Sequence, residues 1–258
     1  MPPRFRAGFT LIELSIVLVI IGLVIGGVMV GKDLIESGRV HAQIRQFQEY
    51  ETAVNGFKLK YNCLPGDCAT AASLDLGANG DGNGLVQMAT TSYGSYDTPD
   101  GTYSGELPKF FLHLQASGLI KQKFDNSLIL VGGSYPVLAI NDRYGMIACG
   151  KWQNGPTGTT PGSITDLYNF PYGLWLHANI CNIGNNPGQA NDGCGVMTPA
   201  QAYAIDTKTD DGKPLAGKVW SYSSASAPGT NPCINGSYTD YSLTNTNPYC
   251  QVSFLLGK

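Results

Sequence analysis

Three groups of residues have the types and spacing for chemistry. The first is one carboxylate, Glu13, near the start of an apolar run from Leu11 to Val30 that is otherwise broken only by Ser15. A bare carboxylate in hydrocarbon is costly, so such a residue has a partner or a task. The second is the glycine-rich stretch Asp75–Gly84, with oxygen ligands at alternate positions in Asn79, Asp81 and Asn83. It partly echoes an EF-hand calcium loop, but Thr90 stands where the closing Glu belongs. A solvent-exposed loop is the first reading there and calcium the second. The third is the acidic turn Asp206, Asp210 and Asp211, with Lys208 and Lys213 interleaved. Ion pairing and turn capping come first there, and closure on calcium second.

Seven cysteines, Cys63, Cys68, Cys149, Cys181, Cys194, Cys233 and Cys250, all follow the apolar run. Local pairs Cys63–Cys68, Cys181–Cys194 and Cys233–Cys250 suggest themselves, with Cys149 left over in a strand; sequence alone leaves the connectivity open. No C-x-x-C occurs, and none of His41, His113 and His177 sits beside a cysteine pair, which argues against a zinc site. His113 reads as a helix-packing residue, since no nucleophile matches it. No G-x-S-x-G or H-E-x-x-H run is present, so no enzyme is expected.

These residues need elements to hold them. The twenty residues Leu11–Val30 span roughly 30 Å as a helix, the thickness of a bilayer core. The helix does not stop there. Lys32–Lys60 runs without Pro, and Val40, Ile44, Phe47, Val54, Phe57 and Tyr61 recur at three- and four-residue spacing. One helix from Phe9 to Tyr61 is expected, its second half packing an apolar stripe on a head. Gly22, Gly26, Gly27 and Gly31 permit close helix approach and weaken the helix locally. Pro65-Gly66 ends it.

Beyond lies an α+β head. A helix is expected over Gly105–Ala116, with Pro108 in its first turn and Gly118 past its end. Strands at Ser127–Val131, Pro136–Ile140 and Tyr144–Cys149 read as an antiparallel meander. Ile164–Ile180 holds a further core strand. Thr198 caps a short helix that begins at Pro199, and Gln251–Leu256 is a final strand. The chain thus divides into a leader at 1–8, an apolar helix half at 9–31, an amphipathic half at 32–61 and a head at 62–258.

Formal charge is −3, and only 14% of residues are charged, against 33 glycines. No nucleic-acid footprint follows from that balance. The small Gly8 precedes the apolar run instead of following it, unlike an ordinary secretory cleavage site. Processing there keeps the hydrophobic segment.

The string Gly8-Phe9-Thr10-Leu11-Ile12-Glu13, behind Arg4 and Arg6, resembles the N-terminus of type IV pilins and type II secretion pseudopilins. The likeness covers about the first fifth of the chain. It implies cleavage between Gly8 and Phe9 by a prepilin peptidase and methylation of Phe9. The new amine of Phe9 then stands one helical turn from Glu13, and an amine–carboxylate pair, within or between subunits, neutralises both. Other pilin subunits, met through the helix, and an inner-membrane assembly platform are the implied partners, with membrane lipid around the helix before assembly. The head is implied to be extracytoplasmic, where disulfides form, and the filament a surface pilus or a periplasmic pseudopilus. Tyr61–Asp67, Phe110–Ile120 and Ile205–Pro214 resemble turns and a helix of a bacterial pilin-like subgroup. The resemblance implies a structural subunit; a secretion pseudopilin, or a minor or tip subunit binding a surface, glycan or DNA through its Tyr/Asn/Gly loops, is the alternative.

Overall fold

The computed structural model describes residues 10–86, 106–124, 131–149, 173–182, 190–191, 195–223, 232–235 and 238–257. Two compact units result, Met1–Arg39 and Val40–Lys258. Helix α1 covers Leu11–Tyr61. In the first unit its large apolar side chains are exposed throughout, from Leu11 at 88% to Leu34 at 73%. A Cβ added at Gly22, Gly26, Gly27 or Gly31 meets nothing within 4 Å, so the chain's own packing does not use these glycines. The helix is long and apolar enough to cross a membrane.

In the second unit the same helix is a core element. The expected stripe is buried from Val40 to Phe57, joined by Gln43, Tyr50 and Ala53, and Tyr61 is half-buried. The stripe packs on an antiparallel sheet of β1 (Tyr144–Cys149), β2 (Leu174–Asn182), β4 (Val219–Ser223) and β5 (Cys250–Gly257), ordered β1-β2-β5-β4. A two-residue strand β3, Ala190–Asn191, pairs with the end of β2. Alternation along β5 sends Phe254 to the helix side, where its ring stacks on Phe47 at 5.0 Å. Lys218 lies over the same ring at 4.7 Å and forms an ion pair with Glu51 at 2.7 Å. The opposite face carries Trp175 and Trp220, packed edge to face at 6.1 Å. Both faces of β5 are buried, the polar Gln251 and Ser253 of the second face included.

Helix α2 is described over Glu106–Ala116, the expected Gly105 lying outside the described residues, and it ends at Gly118, whose φ of +74° suits a glycine. Its Phe110 and Phe111 are fully buried. Helix α3 (Pro199–Thr209) begins as expected at the Thr198 cap, with Pro199 in its first turn. The Gln201 side chain accepts the Thr198 amide hydrogen in return, which completes a capping box. The helix runs three residues beyond the acidic turn's first member, Asp206.

The three-strand meander is corrected. Among the described residues Tyr144–Cys149 is a strand and Pro136–Ile140 is not; Ser127–Leu130 lies outside them. Pro136–Ile140 makes one isolated bridge, Val137 with Gly145. Three further backbone groups go to side chains of α1. Gln46 Nε2 donates to the Val137 carbonyl at 2.7 Å, Gln46 Oε1 accepts from the Ala139 amide at 3.0 Å, and Gln43 Oε1 accepts from the Ile140 amide at 3.1 Å. Two glutamines on successive turns of a helix replace the missing strand. Backbone amides must be satisfied by something, and here side chains do it.

Two expected disulfides are present, Cys63–Cys68 and Cys233–Cys250. Cys194, and with it the expected Cys181–Cys194 pair, lies outside the described residues, as does the side chain of Cys149. The Asp206 hydroxyl partner, Tyr241, sits in the turn that Cys233–Cys250 closes on β5.

Candidate functional site

The N-terminal site begins at Thr10, the first described residue. Thr10 is the cap of α1, and Glu13 occupies the third helical position. The Glu13 amide donates to Thr10 Oγ1 at 3.3 Å. In return one carboxylate oxygen, Oε2, accepts both the Thr10 amide and the Thr10 hydroxyl at 2.8 Å. This is a reciprocal capping box. Ser15 donates its hydroxyl to the Ile12 carbonyl at 2.9 Å. The polar side chains at this end of the apolar segment are therefore satisfied locally, as hydrocarbon requires. No other charged residue follows Glu13 until Lys32. Thr10 was missed in the sequence as the cap of this helix, although the T-x-x-E spacing before an apolar run was there to find it. Gly8 and Phe9 lie outside the described residues.

The calcium-type loop folds differently from its EF-hand echo. Asn79 Oδ1 accepts the Ala72 amide at 2.8 Å, and Asn83 Oδ1 accepts the Leu85 amide at 2.8 Å. Asp81 accepts from Asn83, backbone and side chain. Each of the three side chains is thus engaged in a local turn. Asp81 also meets two residues that spacing did not flag. Carboxylate oxygens of Asp67, Asp81 and Glu106 lie within 4.8 Å of one another. Asp67 accepts the Asn83 and Gly84 amides at 3.0 and 2.8 Å, and Glu106 accepts the Asp81 amide at 2.8 Å. Burial raises the Asp67 carboxyl above its ordinary range, against the pull of the Gly84 amide.

His113 fastens this loop to the end of α1. Its Nδ1 accepts the Gly66 amide at 2.9 Å, so its proton is on Nε2, which donates to the Ala78 carbonyl at 2.9 Å. Burial lowers its affinity for a second proton. The ring stacks on Phe57 at 6.2 Å. The packing role expected for it is the role it has, with a turn-bridging function added.

The second acidic set, Asp206, Asp210 and Asp211, does converge within 4.8 Å. Its carboxylates cap backbone amides of the turn. Asp206 accepts the Gly212 amide at 3.1 Å and the Tyr241 hydroxyl at 2.7 Å. Asp210 accepts the Lys218 and Val219 amides, and Asp211 the Lys213 amide. The expected ion pairs are corrected: among the described residues neither Lys208 nor Lys213 forms one with these carboxylates. Backbone amides of the same turn reach the oxygens first, without ordering a long side chain.

Residues 3–29 match the prokaryotic N-terminal methylation motif. No curated protein matches the chain, and no solved structure does.

Proposed function

We propose that this chain, a type IV pilin-like or pseudopilin protein by its methylation motif and its pilin-like fold, is a structural subunit of a type IV pilus or related filament. The precursor is a single-pass inner-membrane protein with its head on the extracytoplasmic side. A prepilin peptidase cuts it between Gly8 and Phe9, and an assembly platform passes it into a filament, where its helix packs among those of other pilin subunits.

One observation carries this reading. From Leu11 to Val30 the helix exposes its apolar side chains all round, and Glu13 is its one charged residue. Such a surface is stable only in lipid or against other apolar helices. The two disulfides of the head support an oxidising compartment on its side of the membrane. A lone carboxylate at the start of the helix then supplies register. It admits a neighbour whose amine meets it and excludes one whose apolar side chain does.

The test is assembly with Glu13→Ala. The chain is co-expressed with a prepilin peptidase and an assembly system, and filament is measured against mature subunit. Cleavage is expected to continue and filament yield to fall at least about tenfold, the worth of roughly 1.4 kcal/mol. Unchanged filament yield defeats the assigned role of Glu13.

A further inference from the structure

We propose that the cleft at the C-terminal end of α1 binds a hexuronic acid residue of an acidic carbohydrate, taking the sugar carboxylate on Lys58 and the sugar hydroxyls on Asp67, Asn62 and Thr70. The site lies wholly in the head, so the proposal stands or falls apart from the assembly reading above.

The cleft has a volume of about 650 Å³, within the range of small-molecule sites. Three segments line it: the last turn of α1 with Lys58 and Tyr61, the turn closed by Cys63–Cys68, and the glycine-rich loop at Gly84. They are tied to one another by buried groups. His113 accepts the Gly66 amide and bonds the Ala78 carbonyl, and Asp67 accepts the Asn83 and Gly84 amides. The walls are therefore set before a ligand arrives, which lowers the cost of binding. A Cβ built on Gly84 meets nothing within 4 Å, so ligand atoms can reach the backbone there.

The polar groups of the cleft are unspent. Lys58 is half-buried, yet its ammonium has no acceptor among the described residues. The Tyr61 hydroxyl and the Asn62 side-chain amide have no partner among them either. The Tyr61 ring itself is fixed by Phe57 at 4.7 Å, with Lys60 over it at 4.9 Å. Asp67 lines the same cleft, but the ion pair the described residues form is Lys218 with Glu51, and Lys58 does not meet Asp67. Each Asp67 oxygen takes a backbone amide and keeps a lone pair for a further donor.

A separated cation and anion with neutral donors and acceptors select their ligand. A bare anion gains at Lys58 and is repelled at Asp67. A neutral sugar serves Asp67 and leaves the Lys58 charge unanswered. A hexuronic acid carries one carboxylate and several hydroxyls on one rigid ring, and so answers both. Nucleic acid is disfavoured, because Asp81 and Glu106 lie with Asp67, their carboxylates within 4.8 Å of one another, where a phosphate chain needs cations.

The experiment uses the full chain in a sugar-free detergent and reads binding by saturation-transfer NMR. The probes are methyl glucuronide, methyl glucoside, acetate and the zwitterion γ-aminobutyrate. The glucuronide is expected to bind at least about tenfold more tightly than the glucoside, the worth of one charge-assisted hydrogen bond. In Lys58→Met it falls to the glucoside's level while glucoside binding is unchanged, and Lys58→Arg keeps the preference. Asn62 has a φ of +55°, which glycine also adopts, so Asn62→Gly removes the side-chain amide without straining the turn and weakens both sugars alike. The proposal is overturned if neither sugar receives saturation, if Lys58→Met binds the glucuronide as the parent does, or if acetate or γ-aminobutyrate competes as well as the glucuronide. None of these results bears on filament yield with Glu13→Ala, so the assembly reading is judged separately.

Discussion

The Tyr241 hydroxyl donates to Asp206 at 2.7 Å and lies 2.9 Å from Ser221 Oγ, joining α3, β4 and the disulfide-closed turn through one oxygen. Asp206 is fully buried there. Burial pushes its carboxyl up to about 6, and the Tyr241 and Gly212 hydrogen bonds only partly offset this. The Asp206 charge in turn helps hold the Tyr241 phenol far above its ordinary range, behind the larger effect of burial.

A pH dependence follows, and its sign is fixed by linkage. The folded chain holds the Asp206 proton more tightly than the unfolded chain does, so between about pH 4 and 6 the folded state binds more protons. The contribution of Asp206 is fully present below about pH 4 and is lost as pH rises through 6. Thermal unfolding of the full chain in detergent, followed from pH 4 to 7, should show this loss as a difference between parent and Asp206→Asn. A parent-minus-variant difference that stays flat across the window contradicts it.

His177 acts in the opposite direction over nearly the same range. It lies on β2 facing β5, with Nδ1 at 2.8 Å from Ser253 Oγ. Burial lowers its pKa from 6.5 to about 4. The unfolded chain therefore binds the extra proton first, and stability present above pH 6.5 is lost as pH falls toward 4. The full effect is on the order of 3 kcal/mol. In His177→Gln the fall should vanish, leaving the trend set by Asp206. A variant that loses stability on acidification as steeply as the parent rules this out.

The glutamine rungs of α1 are also testable. Gln43 is fully buried, accepts the Ile140 amide and donates to Gln46 Oε1 at 3.0 Å. Gln43→Met keeps the volume and leaves the Ile140 amide without an acceptor. It should cost about 1–3 kcal/mol, read from thermal or urea unfolding in detergent. Gln46 serves more exposed groups, so Gln46→Met should cost less. Equal, negligible losses at both positions would show that solvent replaces the rungs.

Local signals were legible in the sequence, and long-range ones were not. The Thr198-Pro199 start of α3, the stripe from Val40 to Phe57 and the short strand Tyr144–Cys149 each rest on neighbours within a few residues. Pro136–Ile140 misled because its partners, Gln43 and Gln46, are some ninety residues away and are side chains. A polar residue inside an apolar stripe was the available hint. Asp81 was read with Asn79 and Asn83 because they alternate. Asn83 is a neighbour, but so are Asp67 and Glu106, which come from the turn after α1 and the start of α2, and no spacing rule connects those two to it. The capping box at Thr10 and Glu13 was fully local and readable. The apolar run around it drew attention to the charge instead of to its hydroxyl neighbour.

The most direct test of the whole account is the N-terminus of the chain recovered from assembled filaments. After co-expression with a prepilin peptidase and assembly system, sheared or periplasmic filament fractions are sequenced and weighed by mass spectrometry. The account predicts a chain that begins at N-methylated Phe9 and retains Leu11–Gly31. A chain that begins beyond the apolar run, or one that keeps Met1–Gly8 within the filament, contradicts it.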